Sequence, residues 1–288
     1  MYDDVLTLNE LYGLKLRKLY HSYGYKHKTM SRFEDYDFYA KHKDFLTSQN
    51  ILTFTDINGR LMALRPDITL SMIRTGITGK YYYDEKVYRL KGKSENINVN
   101  GGHGSSRWHE ISQSGVECIG GLMIEDITQV TRLALLSLRE ISGGKNYALD
   151  VADAGTARSL IPQINRANIL KCIQDKNIDG LKELNAPQEL LHMASIDGDI
   201  ASGLHYLSDE CRQVITALND PHIRIDFSAL SSLTYYNGLV LKGYIEGIPH
   251  AVLYGGQYDE MLRELGHNGV RGMGFAVYMG NIGGIVGD

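Results

Sequence analysis

No apolar run in this 288-residue chain approaches the roughly 18 residues that a membrane-spanning helix needs. The N-terminus, Met-Tyr-Asp-Asp, lacks the basic and apolar regions of a secretory signal. Three cysteines, Cys118, Cys172 and Cys211, are odd in number, widely spaced and without a Cys-x-x-Cys pair. That usage implies reduced thiols and a cytoplasmic protein. A net charge of −4 argues against a general nucleic-acid binder. A local basic segment runs through Lys15, Arg17, Lys18, Lys26, Lys28 and Arg32, with Glu34, Asp35 and Asp37 directly after it.

Catalytic motifs are scarce as well. His109-Glu110 is not completed to His-Glu-x-x-His, so no zinc site is expected. There is no Gly-x-Ser-x-Gly elbow, and the Gly-Gly-His-Gly-Ser-Ser of 101–106 lacks the Gly-Lys-Ser/Thr ending of a phosphate loop. Gly269 to Gly274 reads as a turn into the last strand rather than a dinucleotide fingerprint. No metal and no cofactor are expected.

What the chain does have is periodicity. Thr7-x-x-Glu10 is a capping box ahead of Leu8, Leu11, Tyr12, Leu16, Leu19 and Tyr23 at helical spacing, and Gly24 marks the stop. A hairpin is expected from Ile51 to Asp56 and Arg60 to Leu64 around Asn58-Gly59, with a helix from Ile68 to Ile73 beyond Pro66. Residues 81–91 read as a strand, and 91–107 as a long glycine-rich loop. Ile127 to Ile141 reads as a helix, Tyr147 to Val151 as a strand. From 157 to 221 the pattern turns helical, with an apolar stripe from Leu204 to Leu218. Strands Leu239 to Tyr244 and Ala251 to Tyr254 then pair, and a helix covers Asp259 to Leu265. The expected fold is α+β: one domain over 1–288, with a helical insertion at 157–221.

The stretch from Arg107 to Gly121 carries the most chemical information. As a strand it puts Arg107, His109, Ile111, Gln113, Gly115 and Glu117 on one face, with Gln113 and Glu117 roughly 13 Å apart. Gly115 leaves room for a ligand against the backbone. Read without further context, the strand is either an amphipathic edge or one wall of a polar ligand site. The other polar clusters are Leu64-Arg65-Pro66-Asp67-Ile68-Thr69, Tyr88-Arg89 and Tyr235-Tyr236-Asn237-Gly238. Carboxylates with phenols suit an ammonium and an imidazole.

These clusters resemble the catalytic core of histidyl-tRNA synthetase, a class II synthetase. Arg107 to Glu117 resembles the end of motif 2, Ser231 to Gly238 the histidine-specific signature, and Gly255-Gly256-Gln257-Tyr258-Asp259 the Gly-Gly-Arg-Tyr-Asp stretch. The likeness covers most of 1–155 and 223–282. It implies a class II synthetase-like antiparallel sheet flanked by helices. The departures are as informative. Ser231 and Thr234 stand at the signature's arginine and aspartate, Arg89-Leu90-Lys91 replaces Arg-x-Glu, and Gly280-Asn281 lies where motif 3 has an arginine. Losing one preorganised donor at a developing phosphate charge costs about 3–4 kcal/mol. The chain also ends soon after motif 3, without room for an anticodon-binding domain.

Leu-Arg-Pro-Asp-Ile-Thr is similar instead to the regulatory-subunit family of ATP phosphoribosyltransferase, a synthetase paralogue. That resemblance implies no catalysis, a short catalytic subunit as partner, a homodimer within a hetero-oligomer, and feedback control by histidine. It implies histidine binding by Asp67, Thr69, Arg89, Gln113, Glu117, Tyr235 and Tyr236. The amino group would meet Asp67 and Thr69, with Gln113 in support; the imidazole would meet Glu117 with Tyr235 or Tyr236. Arg89 would partly replace the lost cation at 231. The competing readings are an active histidine-adenylating or aminoacylating enzyme, and an amino-acid- or RNA-binding module.

Overall fold

The structure, a computed structural model, describes residues 5–46, 51–90, 108–230 and 235–282. Its strands are β1 (Lys26–His27), β2 (Phe33–Asp35), β3 (Thr53–Thr55), β4 (Leu61–Leu64), β5 (Gly79–Leu90), β6 (Trp108–Gly120), β7 (Tyr147–Asp153), β8 (Ile223–Ile225), β9 (Leu239–Ile245), β10 (Leu253–Gln257) and β11 (Arg271–Tyr278). Eight of them form one sheet in the order β1-β5-β6-β11-β10-β9-β7-β8, and β2-β4-β3 form a second. The large sheet is antiparallel through its middle, as expected, but mixed overall: β1 runs parallel to β5 and β8 parallel to β7 at the two edges. Neither edge pairing is a hairpin. Each short edge strand returns along a longer connection, which the local alternation of residues does not encode.

The helices are α1 (Leu8–Ser22), α2 (Tyr36–Lys41), α3 (Ile68–Arg74), α4 (Ile124–Ile141), α5 (Ala154–Leu160), α6 (Arg166–Gln174), α7 (Ile178–Glu183), α8 (Gln188–Ser195), α9 (Ile200–Gly203), α10 (Asp209–Leu218) and α11 (Asp259–Glu264). The capping box forms at α1: Thr7 Oγ1 accepts from Glu10 N, and Glu10 Oε2 accepts from Thr7 N at 2.8 Å. In the β3–β4 hairpin Asp56 Oδ1 accepts from Asn58 N and Arg60 N, closing the turn that Gly59 completes at φ +79°.

Alternation along the central strands divides their side chains between two environments. Val116, Cys118, Phe275 and Val277 belong to the core that α1 and α4 cover, with Leu16, Val130 and Leu133. Gln113, Gly115 and Glu117 of β6, facing Tyr278, Ala276 and Gly274 of β11, point the other way. On that side a smaller core gathers Ile68, Tyr83, Val87, Ile111 and Met261 beneath α3 and α11.

Helices α5 to α10 occupy 154–218. The stripe from Leu204 to Leu218 is not one helix. A 3-10 turn covers Leu204–Tyr206, and Ser208 caps α10 with its hydroxyl accepting from Cys211 N, while Ser208 N donates to the buried Asp153. A serine that satisfies the backbone locally ends the first piece and starts the next. Likewise Gly269 to Gly274 is not all turn, because β11 begins at Arg271. Arg271 is held there by Glu210 (2.8 and 2.7 Å) and Asp259 (2.9 Å).

Candidate functional site

A cavity of about 690 Å³ opens on the second face of the sheet. Asp67, Thr69, Arg89, Gln113, Glu117, Tyr235 and Tyr236 all line it, so the seven candidates converge although they come from four separate segments of the chain. Arg107, Ser231 and Thr234 lie outside the described residues, as does the glycine-rich segment 91–107.

Asp67 is placed by helix capping. As the N-cap of α3 it accepts from Leu70 N at 2.9 Å through Oδ1. Its other oxygen meets Arg89 Nη2 at 3.3 Å, and Tyr235 Oη donates to Oδ1 at 3.4 Å. Arg89 Nε also donates to Pro66 O at 2.8 Å. This arginine therefore clamps the corner between β4 and α3. Burial raises the Asp67 pKa, and the Arg89 charge opposes that rise.

Glu117 lies at the cavity floor, 1% exposed. Thr69 Oγ1 donates to its Oε1 at 2.6 Å and Tyr258 Oη to its Oε2 at 2.5 Å. A Cβ on Gly274 would fall 1.9 Å from Glu117 Oε2, so the glycine is what lets the carboxyl lie across β11. Burial pushes the Glu117 pKa up to about 8, and the two donated hydrogen bonds only partly offset it. Burial thus favours the protonated, neutral form of the group.

A stability consequence follows. Between the ordinary value of 4.5 and about 8 the folded state holds a proton that the unfolded state has lost. Stability is accordingly full below the lower value and declines as pH rises through the upper one, by at most about 1.4 kcal/mol per pH unit. Urea unfolding from pH 5 to 8.5 is expected to show this decline in the native chain and a flatter profile in Glu117→Gln. Parallel profiles would place the titration elsewhere.

Sequence reasoning missed Tyr258 as a site residue, although its Gly-Gly-Gln-Tyr-Asp stretch is conspicuous. The arginine position of that stretch is Gln257, whose Oε1 accepts from Leu239 N at 2.7 Å and whose Nε2 donates to Glu210 at 3.2 Å. The motif 3 position holds Asn281, buried, with Nδ2 donating to Ala251 O at 3.1 Å. Both are tied into the framework, and neither lines the cavity. In the basic segment Arg17 is paired with Asp84 at 2.8 Å. Among the described residues no cluster of three or more His, Cys, Asp or Glu could hold a metal ion, and no helix is long and apolar enough to cross a membrane.

The sequence profile of the family described as histidyl-tRNA synthetase matches residues 7–282. The chain is 25% identical over 308 residues to an ATP phosphoribosyltransferase regulatory subunit of Clostridium novyi, covering 93% of this chain and 70% of the relative. It is also 25% identical over 296 residues to a protein of the same name from Lactococcus lactis subsp. cremoris, covering 93% and 89%. Among solved structures, an ATP phosphoribosyltransferase regulatory subunit/histidyl-tRNA synthetase from Bacillus halodurans C superposes with a TM-score of 0.80 at 19% identity, over 98% of this chain and 79% of that one. A chain of the ATP phosphoribosyl transferase complex from Thermotoga maritima gives 0.70 at 17% identity, over 95% and 98%. These structures share the class II synthetase-like fold. The chain belongs to the histidyl-tRNA synthetase family.

Proposed function

We propose that this chain is a regulatory subunit of ATP phosphoribosyltransferase, the enzyme of the first step of histidine biosynthesis. It activates a short catalytic subunit and transmits inhibition by histidine, and it does not catalyse a reaction of its own. It works as a homodimer within a hetero-oligomer, in the cytoplasm, each copy a single synthetase-like domain with the helical insertion 157–221.

One observation carries this reading: the cavity keeps its amino-acid-binding chemistry while, among the described residues, Arg89 and the Asn281 at the motif 3 position are tied to the framework. Asp67 and Glu117 with Thr69, Gln113, Tyr235 and Tyr236 suit an ammonium and an imidazole, and all line one cavity. Arg89 is engaged by Asp67 and Pro66 O, and Asn281 by Ala251 O. Adenylate formation needs preorganised donors at the phosphates, and this arrangement withholds them. The names of the relatives support the same assignment. Histidine would bind with its ammonium at Asp67 and its imidazole at Glu117. A coupling of about 1–3 kcal/mol between that site and the partner suffices for feedback control.

Size-exclusion chromatography of the chain mixed with a short-form catalytic subunit is expected to give one shared peak. The chain alone is expected to show no histidine-dependent exchange of pyrophosphate into ATP. Separate elution together with such exchange would favour an adenylating enzyme instead.

A further inference from the structure

The cavity has a second, cationic end. Strand register carries one row of residues across the sheet: Asp150 of β7 opposite Lys242 of β9, Lys242 opposite Tyr254 of β10, Tyr254 opposite Ala276 of β11, and Ala276 opposite Gly115 of β6. Directly paired residues share a face, so Lys242 stands on the same side of the sheet as Gly115 and Glu117. β9 and β6 are three strand spacings apart, about 14 Å. The Tyr83 phenol lies over Gly115, the Tyr236 ring over Gly256 and the Glu117 carboxyl over Gly274, and Tyr254 stands beside Lys242, so aromatic side chains line the cavity between Glu117 and Lys242.

Lys242 has no acid of its own in this row. The carboxylate of its register neighbour Asp150 is occupied by Arg224, whose Nε and Nη2 donate to the two oxygens at 2.7 and 3.0 Å. Among the described residues Lys242 makes neither a hydrogen bond nor an ion pair, and its Nζ sits 5.7 Å from the centre of the Tyr244 ring. It is partly buried and lines the cavity. A partly desolvated ammonium backed by an aromatic face gains from an anion in front of it. At the opposite end the acids Asp67 and Glu117 would take the positive groups of the same molecule.

We propose that Lys242 holds the carboxylate of the amino acid whose ammonium and imidazole meet Asp67 and Glu117. The proposal rests on the histidine-binding reading given above. It supplies, from β9, the cation that Ser231 does not provide. Asp67, Glu117 and Lys242 line the same cavity, and the lysine stem gives the reach that a shorter cation would lack.

Calorimetric titration with histidine and with histamine, which lacks the carboxylate, tests the assignment. The native chain is expected to bind histidine about tenfold or more tightly than histamine, the worth of one charge-assisted hydrogen bond. Lys242→Met keeps most of the stem and removes the charge. It is expected to weaken histidine by about tenfold, to leave histamine within about twofold, and to lose the preference. Lys242→Arg is expected to recover most of it. A preference for histidine that persists in Lys242→Met, or an equal loss for both ligands, overturns the assignment while the histidine-binding reading stands. Absence of histidine binding to the native chain overturns both.

Discussion

Replacing Arg65 by methionine is expected to cost about 3–5 kcal/mol of folding free energy, the range for breaking a buried ion pair from one side. Arg65 is fully buried and has four hydrogen bonds. Its Nη2 donates to Glu85 Oε2 and Lys86 O, both at 2.8 Å, and its Nη1 to Met30 O and Ser31 O, both at 3.1 Å. Methionine would fill much of the volume but leave a carboxylate and three carbonyls without their donor. At about 2–4 °C per kcal/mol for a chain of this size, the midpoint of thermal unfolding should fall by roughly 10 °C. Adding Glu85→Gln to the variant is expected to recover part of the loss, because the uncompensated charge is then gone. A single variant within about 1 kcal/mol of the native chain would show that the pair is not desolvated. The same substitution should weaken ligand binding, since Arg65 fixes the corner from which Asp67 projects.

Glu117→Gln should separate affinity from stability. Burial favours the neutral form of Glu117, so a neutral amide of the same shape is expected to cost little folding energy near pH 7. One adjustment is needed, because the amide nitrogen cannot accept the hydrogen bond that Thr69 or Tyr258 now donates. Histidine binding is a different matter. When the imidazole takes the Glu117 proton, an imidazolium faces a carboxylate in a charge-assisted bond worth about 1.5–3 kcal/mol, which the amide forfeits. Affinity for histidine should thus fall roughly ten- to a hundredfold, with an unfolding midpoint at pH 7 close to that of the native chain. Unchanged affinity in calorimetry would remove Glu117 from the site; a large loss of stability would make its role structural.

How far these features were legible in the sequence differs by element. Helix α1 and the β3–β4 hairpin announce themselves, because Thr7, Glu10, Asp56 and Gly59 satisfy their own neighbours. Strand β6 is legible as an alternating face, and the family resemblance names its partners in distant segments. The parallel edges β1 and β8 were not legible, since their pairing is decided across the chain. Ser208 interrupted a stripe whose apolar spacing alone reads as continuous. In the site, Asp67 could be named from its motif, but the reason it stays fixed, capping α3 while Arg89 reaches back to it, is tertiary. Tyr258 stands in a recognisable Gly-Gly-Gln-Tyr-Asp stretch but its bond to Glu117 is tertiary, and nothing in the local sequence of Lys242 signals a ligand. Register puts Lys242 on the cavity face, and the glycine at 274 lets Glu117 lie where Tyr258 can donate to it.

A cavity that reports histidine to a separate catalytic subunit must change the rate of that subunit. The measurement is the initial rate of a short-form ATP phosphoribosyltransferase alone, with this chain, and with this chain plus histidine. The rate is expected to rise on adding the chain and to fall again as histidine is added. That fall should be weakened in Glu117→Gln. An unchanged rate on adding the chain, with no complex between the two proteins, would mean that this chain is not its regulatory subunit.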